Sequence, residues 1–216
     1  MVLPSIYRKY GEGSIASYDW TDIASGLGYV NFTCGTSSPA GTITYQLFKE
    51  AMEQGNSATD SLLHERYSVI TNDTYITFAL SAFNLATVIR GKVFVTFTVS
   101  AANGGTGNMM PTVQLLLNST VLGTTTGSEI TLASEIKTWN LSFDVASVSA
   151  APSDILYFKI KLTMQDAATV DHCIYHDSLN RDRASFTPVA HGIFPAVTAS
   201  LNPTELIVKV PFRIDL

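Results

Sequence analysis

The chain has 216 residues, of which 46% are hydrophobic and only 14% charged, with a formal net charge of -5 at pH 7. That length suits one large all-β domain with or without an arm, and so little charge implies burial against partner subunits, since a free monomer wets more of its surface with Lys, Glu, Asp and Arg. A negative chain with no basic run excludes nucleic acid as an expected partner, and no apolar run reaches the roughly 20 residues of a spanning helix, which excludes a membrane on the same footing.

Residues 1–27 mix Tyr7, Tyr10, Tyr18 and Trp20 with Gly and Ser and hold no sustained period. They read as an N-terminal arm ahead of a single β-sandwich domain over 28–216. Exposed rings need a surface to dock on, either a neighbouring subunit or the arm's own sandwich. No segment of the arm has the apolar core of a signal peptide, so synthesis is expected to end in the cytoplasm.

Beyond the arm the dominant period is two. GYVNFTC, TITYQLF, ERYSVITN and TYITFALSAF are the first strand candidates, although YQLFKEAMEQG over 45–55 has an alternative as a short helix closed by Gly55. In GKVFVTFTVS, Val93, Val95, Phe97 and Val99 share one face while Phe94, Thr96 and Thr98 share the other. The glycine cluster NGGTGN over 103–108 precedes no helix and no Lys-Ser or Lys-Thr, so it reads as part of a turn cluster reaching Pro111 rather than a phosphate loop.

TVQLLLNS follows as a strand. In KTWNLSFDVASV, Trp139, Leu141, Phe143 and Val145 alternate with Asn140, Ser142 and Asp144, the mark of a half-buried antiparallel strand. ILYFKIKLTM sets Leu156, Phe158, Ile160, Leu162 and Met164 against Tyr157, Lys159 and Lys161. TVDHCIYH and the last residues complete the set, the latter with Leu206, Val208, Val210, Phe212 and Ile214 on one face. Pro211 removes a ladder donor there, which points to an edge strand or a bulge, and an apolar edge invites a second chain. About ten strands with no helical pattern between them predict an all-β fold, an antiparallel, jelly-roll-like β-sandwich.

Candidate chemistry is sparse. His172 and His176 would share a face on a helix and hold zinc, but their surroundings read as strand, where four residues rise about 13 Å and separate them; no metal is expected. GTSSP beside Cys34 reads as a turn and not as a nucleophile elbow. Cys34 and Cys173 form no metal-binding spacing and are expected free and buried. No carboxylate pair is singled out for glycoside hydrolysis, and Trp20, Tyr157, Tyr175 and Asn180 are the candidates for contact with a sugar. No cofactor and no enzymatic activity are expected. In HDSLNRDRASFTP over 176–188, Asp177, Asn180 and Asp182 form turns, and Arg181 and Arg183 either close that loop or reach a neighbouring subunit.

Three stretches carry a resemblance. Tyr18, Asp19, Trp20, the run 22–26, Gly28 and Tyr29 near the start, Asp177, Asn180 and Arg181 late in the chain, and VPFRIDL at 210–216 resemble a group of small structural proteins of tailed bacteriophages. The match covers both ends, while the middle shares only strand-like composition. The resemblance implies a non-enzymatic virion protein assembled in the host cytoplasm, one that decorates or cements the capsid. The alternative is a tail-associated fibre or receptor-binding module contacting a host glycan. Its partners would be itself, as a homo-oligomer for which a trimer is a guess, and the major capsid protein or other virion proteins. Tyr7, Tyr10, Tyr18, Trp20, Arg181, Arg183 and Phe212 are the expected intersubunit contacts.

Overall fold

The computed structural model describes residues 27–37, 44–49, 67–70, 73–101, 106–133, 136–164, 172–176 and 205–213. Every regular element among them is a strand: β1 (Leu27–Ser37), β2 (Thr44–Phe48), β3 (Tyr67–Ile70), β4 (Ile76–Ala79), β5 (Thr87–Ala101) and β6 (Thr106–Leu117). The series continues with β7 (Thr120–Thr126), β8 (Ile130–Ala133), β9 (Ile136–Ala150), β10 (Leu156–Met164), β11 (His172–Tyr175) and β12 (Ile207–Arg213).

Alternation drives the layering. On β5 the side chains of Ile89, Val93, Val95, Phe97 and Val99 are buried, as are those of Leu156, Phe158, Ile160 and Leu162 on β10 and Trp139, Phe143 and Val145 on β9. β-branched and aromatic residues suit a pleated surface, and each fully buried side chain of this size contributes about 1.5–3 kcal/mol. These residues meet in one core with Phe32, Phe78, Val113, Leu115, Val208 and Val210. Phe97 and Trp139 stack there with centroids 5.5 Å apart.

The strands form a continuous hydrogen-bonded path in the order β3-β11-β5-β12-β1-β2-β4-β10-β6-β7, with β9 paired to β5 and β8 to β6. This path is that of an all-β sandwich, with β3, β11, β5, β12 and β1, and β9 beside β5, in one half of it and β2, β4, β10, β6 and β7, and β8 beside β6, in the other. β1 links them, pairing β12 through Leu27–Thr33 and β2 through Thr33–Ser37. Among the described residues the pairing is antiparallel except for one parallel contact, Gln46 with Ala79, between β2 and β4.

Several expectations are corrected. β12 is an interior strand, paired with β1 on one side and β5 on the other, so Pro211 marks no edge. It lies instead where the β12 to β5 register shifts, between Lys209 and Phe212, the bulge alternative for a residue that cannot donate. Phe212 is half-buried, its ring 6.3 Å from Phe32 and 6.3 Å from Phe83. The helical alternative over 45–55 fails where it is described, because Tyr45, Gln46, Leu47 and Phe48 belong to β2. The turn cluster before Pro111 is strand from Thr106 onward, and the turn expected beside Cys34 is strand as far as Ser37.

β7 and β8 carry no clear alternation that would mark them as strands in the sequence. Close approach explains β7: a Cβ on Gly123 would lie 2.5 Å from Phe143 Cδ2, and one on Gly127 would lie 2.8 Å from Pro111 Cγ. Backbone packs there where side chains usually do.

Candidate functional site

The outward residues of β1, β12, β5 and β9 build a groove. Register places them in rows across the four strands: Asn31 faces Lys209, Lys209 faces Phe94, and Phe94 faces Ser142. In the next row Ile207 faces Thr96 and Thr96 faces Asn140. Tyr29, Asn31, Lys209, Phe94, Ser142, Thr96 and Asn140, with the strand segments at Val95 and Leu141, line an open groove of about 550 Å³.

Phe94 is the anomaly. Its strand neighbours Val93 and Val95 are buried, yet it stays 41% exposed on the polar face. Tyr29 flanks it with ring centroids 5.9 Å apart and planes tilted by 52°, an arrangement that offers an aromatic surface to whatever enters. The Thr96 hydroxyl donates to Asn140 Oδ1 at 2.7 Å, which holds that amide and leaves its N–H groups as the donors presented at the groove. Further along the same two strands the Thr98 and Thr138 hydroxyls lie 2.9 Å apart. Beyond Phe94 and Ser142, Lys92 and Asp144 approach to 4.0 Å.

Two other polar clusters have a structural explanation. Asp73, at φ 60°, accepts from Lys161 Nζ at 2.7 Å and from the Thr163 hydroxyl at 2.9 Å. Lys161 also lies 5.3 Å from the centroid of the Tyr75 ring. Those hydrogen bonds, from Lys161 first, hold the Asp73 carboxyl below the usual carboxylate range, while Asp73 raises the Lys161 ammonium. Asp154 accepts from the Asn118 amide at 2.8 Å and from the Ala151 N–H at 2.7 Å, and it too is lowered, the Asn118 bond contributing most. Both networks pin turns between strands.

The histidine pair expected to be pulled apart on a strand is only partly described. His176 is buried at the end of β11, edge-on to Tyr45 at 6.1 Å and to Phe78 at 5.9 Å. That is a core environment. Cys34 is a free thiol, fully buried, and desolvation pushes its pKa up. Among the described residues no group of three or more His, Cys, Asp or Glu side chains is placed to hold a metal.

Of the proposed sugar contacts, Tyr175 is buried and unavailable, Tyr157 sits on β10 opposite Ala79 and Leu116, and Trp20 and Asn180 lie outside the described residues. So do Tyr7, Tyr10, Tyr18, Arg181 and Arg183. The groove residues were readable singly as outward positions, and the one signal among them was an aromatic, Phe94, on an otherwise polar face.

No protein-family model matches the chain, and no curated protein matches it either. Among solved structures, it is similar to a CocE/NonD family hydrolase from Staphylococcus aureus at 10% identity and a TM-score of 0.47, covering 85% of this chain. The chain spans 36% of that hydrolase's length. It is also similar to the CBM36-1 domain of a multidomain xylanase from the hindgut metagenome of Trinervitermes trinervoides, at 9% identity and a TM-score of 0.26, over 85% of this chain and 95% of that one. A third is the infectious bursal disease virus VP2 subviral particle, at 8% identity and a TM-score of 0.23, over 88% of this chain and 60% of that one. Likeness at this level carries no functional conclusion.

Proposed function

We propose that this chain is a non-enzymatic structural component of a virion that makes a recognition contact through the groove of β1, β12, β5 and β9. The virion class rests on the resemblance of the two chain ends to tailed-phage structural proteins. The role rests on one observation: Phe94, 41% exposed beside Tyr29, stands among Asn31, Thr96, Asn140 and Ser142. An apolar surface ringed by a few convergent polar groups is the usual composition of a ligand site. A saccharide suits this lining, because a pyranose offers an apolar C–H face to an aromatic ring while its hydroxyls both donate to and accept from amides and hydroxyls.

Of the two virion roles, the groove therefore favours the module that contacts host glycan. The test is a glycan array probed with the full chain and with Phe94→Ala. Binding by the parent chain that disappears in the variant is the expected result, and a silent array overturns the reading.

The cement or decoration role keeps a specific support of its own. Leu85 is 68% exposed and Val121 48% exposed, apolar surface of the kind a neighbouring subunit covers. Copy number relative to the major capsid protein in purified particles separates the roles. Hundreds of copies favour the head lattice, and a handful favours the neck or tail.

A further inference from the structure

Among the described residues, Lys209 is the only one lining the groove that is charged at neutral pH. The ion pairs of Lys92 with Asp144 at 4.0 Å and of Lys161 with Asp73 at 2.7 Å do not include Lys209. Its register position is central, between Asn31 on β1 and Phe94 on β5. Resting on the glycan reading, we infer that the groove selects an acidic saccharide, a pyranose bearing a carboxylate, with Lys209 as its counter-charge and Phe94 and Tyr29 as the stacking surface.

The architecture favours this occupant over other anions. The row from Asn31 through Lys209 and Phe94 to Ser142 crosses three interstrand gaps, about 14 Å in all, a length suited to a short oligosaccharide. Along β1, β12 and β5 the groove lies on a sheet face whose strands are laddered on both sides, so an extended peptide lying across them finds no strand edge to pair with. A polynucleotide would need several cations where the groove offers one. Asp144, the nearest carboxylate along β9, lies beside Lys92, and the net charge of -5 over the whole chain is screened beyond about 8 Å at physiological ionic strength. A ligand carboxylate in contact with Lys209 escapes most of that screening.

The experiment titrates the full chain calorimetrically with galacturonic acid tetramer and with the same tetramer after carboxyl reduction, alongside Lys209→Gln and Phe94→Ala. The inference expects the acidic tetramer to bind about tenfold more tightly than the reduced one, since a charge-assisted hydrogen bond is worth roughly that factor. Lys209→Gln should abolish the difference while retaining the weaker binding, and Phe94→Ala should lose both. Equal binding of the two tetramers overturns the acidic preference and leaves the glycan reading standing. Binding of neither tetramer by a chain that gives array signals on neutral glycans alone does the same. Binding of neither, with a silent array, overturns both. Light scattering on the same samples supplies the remaining outcome: a parent oligomer that Phe94→Ala dissociates makes a second copy of the chain the occupant and overturns the inference.

Discussion

Gly123 on β7 lies so close to Phe143 on β9 that a Cβ added to the glycine would sit 2.5 Å from the ring's Cδ2. These two strands do not pair in the ladder order, since β7 ends the path through β6 and β9 lies beside β5. The contact therefore closes one side of the sandwich, with the flat ring taking the place of a side chain on β7.

Gly123→Ala is accordingly expected to destabilise the fold by about 1–3 kcal/mol, the usual cost of forcing extra volume into packed surroundings. Phe143→Leu in the same chain should recover part of that loss, because a double-mutant cycle registers contacting residues as non-additive. Urea denaturation of the four proteins measures it. Additive losses would place the strain elsewhere.

Asn118 ties two turns together. At φ 52° it donates from its amide to Asp154 at 2.8 Å, and its Oδ1 accepts from the Ile155 N–H at 2.9 Å. Asn118→Ala removes both bonds and leaves a Cβ residue in the left-handed region, so a loss of about 2–3 kcal/mol is expected. Asn118→Gly removes the same bonds without the steric penalty and should lose less. Thermal melts of the two variants give the order directly.

Acid should weaken the fold through Asp73 and Asp154, whose carboxyls are held below their ordinary value by hydrogen bonds from Lys161 and Asn118 respectively. A depressed carboxylate stabilises the folded state above its unfolded pKa and loses that contribution as pH falls through the folded one. The melting temperature is expected to hold near neutrality and decline from the ordinary carboxylate range downward. Asp73→Asn should flatten part of that decline. The Lys161 ammonium, raised by the same Asp73 bond, gives the mirror effect, present below its unfolded pKa and lost at strongly alkaline pH.

Phe94→Ala should separate binding from stability. A ring 41% exposed forfeits little packing, so a loss under about 1 kcal/mol is expected against 3–5 for a buried Phe. Phe97→Ala, taken from a fully buried position stacked on Trp139, should cost in the range of about 3–5 kcal/mol. Similar losses for the two would mean that Phe94 serves the fold.

His176→Ala is expected to behave as a core truncation, since the ring is buried edge-on to Tyr45 and Phe78. A loss of at least about 2 kcal/mol in chemical denaturation is the expected outcome, and an unchanged midpoint would contradict a packing role.

By itself the sequence determined which side chains on each long strand turn inward. On β5, β9 and β10 the alternation of Val93 with Phe94, Trp139 with Asn140 and Phe158 with Lys159 holds in the structure, because a period of two is a local property of an extended chain. β7 escaped notice for the complementary reason: at Gly123 the core is filled by a ring from another strand, and nothing local records it. Only the tertiary structure decided that β12 lies between β1 and β5, which removed the expected edge at Pro211 and brought Tyr29, Asn31, Phe94, Asn140 and Lys209 into one groove. Those residues come from four distant stretches, and the choice of neighbouring strand is set by how the whole core packs, which no single stretch of sequence encodes.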